Sequence, residues 1–133
     1  MAEPQIFVVD THALIWYLQE SRRLGKSAEA ILSDPESTLV VPTIVLAEAR
    51  YLIAKKHLAV EWSAVVDFIR SDYRVSLYDI DEDIVSLMPL DLEKHDAIIC
   101  AMAIYRHDVL REEAAVLTRD REIVESGLVR TIW

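Results

Sequence analysis

The chain has 133 residues, of which 53% are hydrophobic and 28% charged, an ordinary globular composition and enough for one domain with its own core. No apolar run approaches the roughly 20 residues that span a bilayer, no basic segment followed by a long apolar stretch marks a secretory signal, and one cysteine, Cys100, excludes an internal disulfide and a multi-cysteine zinc site. The formal charge of −9 argues against a broad basic groove for phosphates, and acidic protein and nucleic-acid chemistry are compatible if divalent cations bridge the two.

The first element is Ile6-Phe7-Val8-Val9. An unbroken, largely β-favouring apolar run predicts a strand buried on both faces, as in the middle of a parallel sheet. Asp10 follows directly, at the carboxyl end, where open α/β sheets bind ligands. Asp10 or Thr11 serves equally well as a helix cap, and both readings stand at this point. Leu14, Ile15 and Leu18 predict a short amphipathic helix to Gln19, and Arg22 to Lys26 a basic turn. Ser27 caps a helix through Leu32, which Asp34-Pro35 stops. Thr38 to Val41 is a second buried strand closed by Pro42. Thr43 opens a long helix to about His57, with Val45, Leu46, Ala49, Leu52 and Ile53 on its apolar face.

A helix from Ser63 to Ile69 leads to a third strand, Arg74 to Tyr78. Asp81 caps a short helix through Leu87, and a further helix runs from about Asp96 to Tyr105. Residues 106 to 113 read as a polar loop, Ala114 to Thr118 as a fourth strand, Asp120 to Glu125 as a helical turn and Val129 to Trp133 as a last strand. Two glycines, four prolines and no repeat leave no linker, so 1–133 is expected to be a single domain. Strands alternating with helices predict a three-layer α/β/α sandwich with a mainly parallel central sheet of four to five strands. A cytoplasmic protein is the simplest expectation.

Four acids stand apart from the rest: Asp10, Glu48, Asp96 and Asp120. Each borders or interrupts an apolar segment, and none has lysine or arginine three or four residues away for a helical ion pair. Glu48 lies on or beside the apolar face of its helix, between Val45 and Leu52. Taken singly, each is as well explained by a helix cap or a solvated rim position. Taken together, three of the four stand at strand ends or helix starts, and parallel strands would bring Asp10 and Asp120 to one sheet edge. Clustered carboxylates raise one another's pKa unless a cation neutralises them. Oxygen-only ligands favour magnesium or manganese, ions that activate water and stabilise an in-line phosphoryl displacement. Phosphodiester hydrolysis is the chemistry this set suits.

The same segments resemble the PIN-domain nucleases, and within them the VapC-type toxins. The likeness covers nearly the whole chain. It lies in Val8-Val9-Asp10-Thr11-His12-Ala13-Leu14-Ile15-Trp16, the helix carrying Glu48 after Val41-Pro42-Thr43, His95-Asp96-Ala97-Ile98-Ile99-Cys100, and Val116-Leu117-Thr118-Arg119-Asp120-Arg121-Glu122-Ile123. The resemblance implies an endoribonuclease using Mg2+ or Mn2+. Asp10, Glu48, Asp96 and Asp120 would bind the metal, with Thr118 hydrogen-bonding inside the acidic site. It also implies a homodimer and an inhibitory antitoxin, whose basic tail would suit an acidic surface. One departure is Ala97, where many relatives carry arginine. Arg119 and Arg121 are the best candidates to meet RNA, and His12 is a further one; Trp16 reads as a core or dimer contact.

Three rivals remain at this level. A DNA nuclease or a phosphatase would use the same metal chemistry; no Asp-x-Asp pair follows the first strand, which weakens the phosphatase case. A receiver domain expects an acidic pair there and a lysine after the last strand, and neither is present. A catalytically silent module would be signalled by loss of one acid, and all four are there.

Overall fold

The computed structural model describes residues 3–133. Five strands and seven helices alternate along the chain: β1 (Ile6–Val9), α1 (Thr11–Leu18), α2 (Lys26–Ser33), β2 (Thr38–Pro42), α3 (Thr43–Lys56), α4 (Trp62–Ser71), β3 (Val75–Tyr78), α5 (Glu82–Ser86), α6 (Lys94–Ile104), β4 (Ala114–Leu117), α7 (Arg121–Ser126) and β5 (Thr131–Ile132). The strands form one sheet in the order β3-β2-β1-β4-β5, and every pair is parallel. Parallel neighbours need crossover connections, which the helices supply. Phe7, Val8 and Val9 in β1, Leu39 to Val41 in β2 and Ala115 to Leu117 in β4 are all buried. Successive side chains of a strand face opposite ways, so both faces of the central sheet are covered and the domain has three layers. The expected α/β/α sandwich is what the chain forms, with the sheet wholly parallel.

The topology decides where a ligand can sit. The chain runs outward from β1 through β2 to β3, then returns to the other side of β1 as β4 and β5. The strand order therefore reverses between β1 and β4, and in open α/β sheets the crevice outside the carboxyl ends at such a point is the ligand site. The register pairs Val9 with Leu117, so Asp10 and Thr118, one residue further on, leave the sheet side by side.

Helix α1 starts at Thr11, and the Asp10 side chain caps it by accepting from the Thr11 N–H at 2.7 Å. Two elements differ from the sequence-based expectation. Residues 106–109, expected to be loop, continue α6 with Tyr105 as a wider π-helical turn; no glycine or proline interrupts them, and the chain breaks only near Arg111, which adopts a left-handed backbone. The last strand shrinks to Thr131–Ile132, since β4 offers it only Val116 and Leu117 as partners. Among the described residues no helix is long and apolar enough to cross a membrane.

The β3 edge is fastened by Arg74. Its guanidinium is bidentate on Asp72 (3.0 and 2.9 Å) and donates to the carbonyls of Leu32 (2.7 Å) and Asp34 (2.8 Å) where α2 ends. The Arg74 hydrogen bonds hold the Asp72 carboxyl below its ordinary range. Arg74→Ala would strand a carboxylate and two carbonyls, and it is expected to cost about 2–3 kcal/mol in denaturant unfolding. A loss below about 0.5 kcal/mol, ordinary for surface changes, would show that the network is only decoration.

Candidate active site

Asp10 stands at the bottom of a pocket of about 320 Å³ outside the carboxyl ends of β1 and β4. One of its oxygens accepts from Thr11, as above, and the other from the Thr118 hydroxyl at 2.5 Å. Thr118 is 1% exposed, and its oxygen also accepts from the Asp120 N–H at 3.0 Å. One hydroxyl thus ties together the ends of the two central strands and the start of α7. Asp120 caps α7 by accepting from Glu122 and Ile123 with a single oxygen, 2.9 and 3.2 Å. Among the described residues its second oxygen has no protein donor.

Glu48 reaches the same pocket from the middle of α3. The Thr11 hydroxyl donates to its Oε1 at 2.9 Å, and its Oε2 lies 3.7 Å from His95 Nδ1. His95 also approaches Glu93, at 3.2 Å. Glu93 in turn caps α6, accepting from the N–H groups of His95 and Asp96 at 2.8 and 3.4 Å. Asp96 sits in the first turn of that helix. Among the described residues nothing donates a hydrogen bond to its carboxylate.

The electrostatics follow from this crowding. Burial pushes the Asp10 carboxyl up and outweighs the hydrogen bonds from Thr118 and Thr11. Burial also raises Asp96, to about 7, with Asp120, Asp10, Glu93 and Glu122 adding repulsion. Beneath them the Cys100 thiol is pushed up to about 12, chiefly by burial and then by Asp96, Asp10 and Asp120. No lysine or arginine pairs with any of the four acids among the described residues.

As the side chains stand, no three described His, Cys, Asp or Glu groups have the geometry of a ready cation cage. The donor chemistry fits a hard divalent ion all the same: four carboxylates line one pocket, two of them with raised pKa values, and Asp96 and one oxygen of Asp120 accept no hydrogen bond. A divalent cation supplies the positive charge that such a cluster otherwise lacks.

Asp10, Glu48, Asp96, Thr118, Arg119, Asp120 and His12 all line the pocket. Arg121 does not. It points to solvent from α7, where its Nε pairs with Glu125 at 2.7 Å. Thr11, Glu93, His95 and Trp133 also line the pocket and were not singled out from sequence. The spacing of Glu93 three residues ahead of Asp96 was the available signal, since an acid before a helix start is a cap. Trp16, expected in the core, is 8% exposed and belongs both to the core and to the pocket wall. Ala97 is buried, so the residue directly after Asp96 offers no cation here. Arg119 is the sole arginine or lysine lining the pocket among the described residues.

A sequence model of the PIN domain matches residues 7–126. The chain belongs to the PIN domain family. PIN domains are nucleases, which makes this domain's class hydrolase. Among solved structures, a chain in the crystal structure of VapBC2 from Rickettsia felis bound to a DNA fragment from their promoter is similar, with a TM-score of 0.63 at 15% identity. The match covers 96% of this PIN domain chain and 97% of the other, so the two share the fold over their whole length. No curated protein matches.

The raised acids set a pH dependence. A carboxyl with a higher pKa in the native than in the unfolded state binds the extra proton on folding, so stability falls as pH rises through the interval between the two values. For Asp96 that interval runs from 3.8 to about 7. In chelator, the protein is expected to melt at higher temperature near pH 5 than near pH 8. Asp96→Asn is expected to flatten that difference and to raise the melting temperature near pH 8 by a few degrees. An unchanged pH slope in the variant would place the repulsion elsewhere.

Proposed function

We propose that this PIN domain is a metal-dependent endoribonuclease, the toxin of a VapBC-type toxin–antitoxin pair, working in the cytoplasm as a homodimer. The observation that carries the reading is the pocket at the β1–β4 reversal, where Asp10, Glu48, Asp96 and Asp120 meet without a lysine or arginine to neutralise them. These four residues would hold Mg2+ or Mn2+. When bound, the ion supplies a lowered pKa for its water and charge neutralisation on the phosphate.

The chain's own groups prepare that chemistry. Thr118 and the Thr11 N–H fix both oxygens of Asp10, and the Thr11 hydroxyl fixes one oxygen of Glu48. Glu93 holds the start of α6, and with it the placement of Asp96. Side chains locked in this way leave little to reorganise when substrate arrives. Thr118 acts through Asp10 and Asp120, as a positioning residue. Arg119 and His12, exposed at the pocket wall, would meet the RNA strand, with Arg121 further out on α7.

The partner follows from a different observation. The similar solved structure is of VapBC2 bound to a DNA fragment from their promoter, and a chain with net charge −9 suits a partner with a basic segment.

The deciding experiment is cleavage of a structured RNA with Mg2+ or Mn2+, beside EDTA and beside a DNA of the same sequence. Wild type is expected to cut the RNA only with metal. Asp10→Asn is expected to lose at least about a hundredfold in rate while melting cooperatively, because losing even a group that merely orients a metal ligand costs up to that much. A well-folded Asp10→Asn with full activity would remove the claim. Cleavage of the DNA alone would keep the metal site and change the substrate.

A further inference from the structure

Arg119 follows Thr118 out of β4 and lines a pocket that also holds Asp10, Glu48, Glu93, Asp96 and Asp120. An arginine in that company would ordinarily collapse onto a carboxylate. This one does not. Among the described residues it makes no salt bridge and no hydrogen bond. Its guanidinium carbon lies instead 4.5 Å from the centre of the Trp16 ring and 5.9 Å from that of Trp133. The two indoles meet edge to face at 5.7 Å, forming an aromatic corner against which the cation rests.

The corner is itself built in. Trp16 belongs to the buried core of α1. Trp133 is packed so closely on Gly25 that a Cβ at residue 25 would collide with its backbone and its indole. Cation–π attraction draws on the face of the ring and the charge of the guanidinium. It leaves the five N–H donors of arginine unspent, and their planar fork matches phosphate oxygens.

We propose that Arg119, held over Trp16 and Trp133, grips a backbone phosphate of the substrate strand next to the one that is cut, and that the two tryptophans are positioning residues for it. The inference rests on the nuclease reading above. It explains how an acidic protein takes hold of a polyanion: one arginine is kept off the acids and presented beside them. The grip comes from the β4 end, since α6 offers only the buried Ala97 after Asp96.

The test is the affinity for a short single-stranded RNA, measured over a range of salt in an Asp96→Asn background so that the strand survives, with cleavage kinetics in the wild-type background. Arg119→Ala is expected to weaken binding about tenfold, to lower the salt slope by about 0.7, the share of one phosphate on a single strand, and to raise KM more than it lowers kcat. Arg119→Lys keeps the charge and loses the fork, so its slope should stay near that of Arg119 while affinity falls. Trp133→Leu should weaken binding toward the Arg119→Ala level, and Trp133→Phe, which keeps an aromatic face, should restore most of it.

If Arg119→Ala changes only the melting temperature, with affinity and slope intact, the stack is a fold latch and the proposal is overturned. If wild type cuts RNA yet neither tryptophan variant differs from it, the positioning role is overturned. If wild type neither binds nor cuts RNA, the nuclease reading itself has failed and the phosphate grip falls with it.

Discussion

A carboxylate at the end of a strand buried on both faces is expensive to keep ionised, and Asp10 is such a carboxylate. Most of what surrounds it answers that constraint. The β1 run forces Asp10 into the crevice between β1 and β4, where the Thr118 hydroxyl and the Thr11 N–H each satisfy one oxygen. Neither bond cancels the charge, because hydrogen bonds of this kind offset only part of a burial penalty. Burial still wins, and the acid's pKa is raised. Adding Asp96 and Asp120 nearby worsens the balance, which is the direction that protein stability by itself would never favour.

That imbalance is where stability and function part. A site proposed to take up a cation is not one that its own lysines and arginines should already neutralise. The chain's bidentate Arg74–Asp72 pair lies elsewhere, at the β3 edge, where it fastens the fold. The hydroxyls of Thr11 and Thr118 donate to Glu48 and Asp10. They order the carboxylates without discharging them. The cost is carboxylate repulsion at neutral pH, and the wholly parallel, doubly covered sheet is what the domain sets against it.

The sandwich was legible in the sequence because its central strands are apolar without alternation and each ends in an abrupt polar residue. Ile6 to Val9 before Asp10 and Ala114 to Leu117 before Thr118 are local patterns, and local patterns survive folding. The strand order was not legible, since nothing in β4 says that it pairs with β1. The four acids could be gathered by their position and lack of partners, but the residues that hold them could not. His95 reaches Glu48 across 47 positions, and Trp133 reaches Trp16 across most of the chain. The polar run from residue 106 suggests loop, yet nothing there breaks a helix and 106–109 continue as a π-helical turn.

Arg119 and Arg121 show the same limit at its sharpest. They flank Asp120 symmetrically in the sequence, and both were candidates for contact with substrate. The start of α7 separates them. Asp120 caps the helix, so Arg121 is its first residue and swings outward to pair with Glu125, while Arg119 is still leaving the sheet and lies over Trp16. Two positions, on either side of the helix cap, therefore send one guanidinium to bulk water and the other to the rim of the acidic pocket. What keeps the second from falling onto the carboxylates is aromatic surface rather than charge. Indoles attract a cation without taking its donors, so a pocket with this much negative charge can still carry one arginine ready to receive an anion.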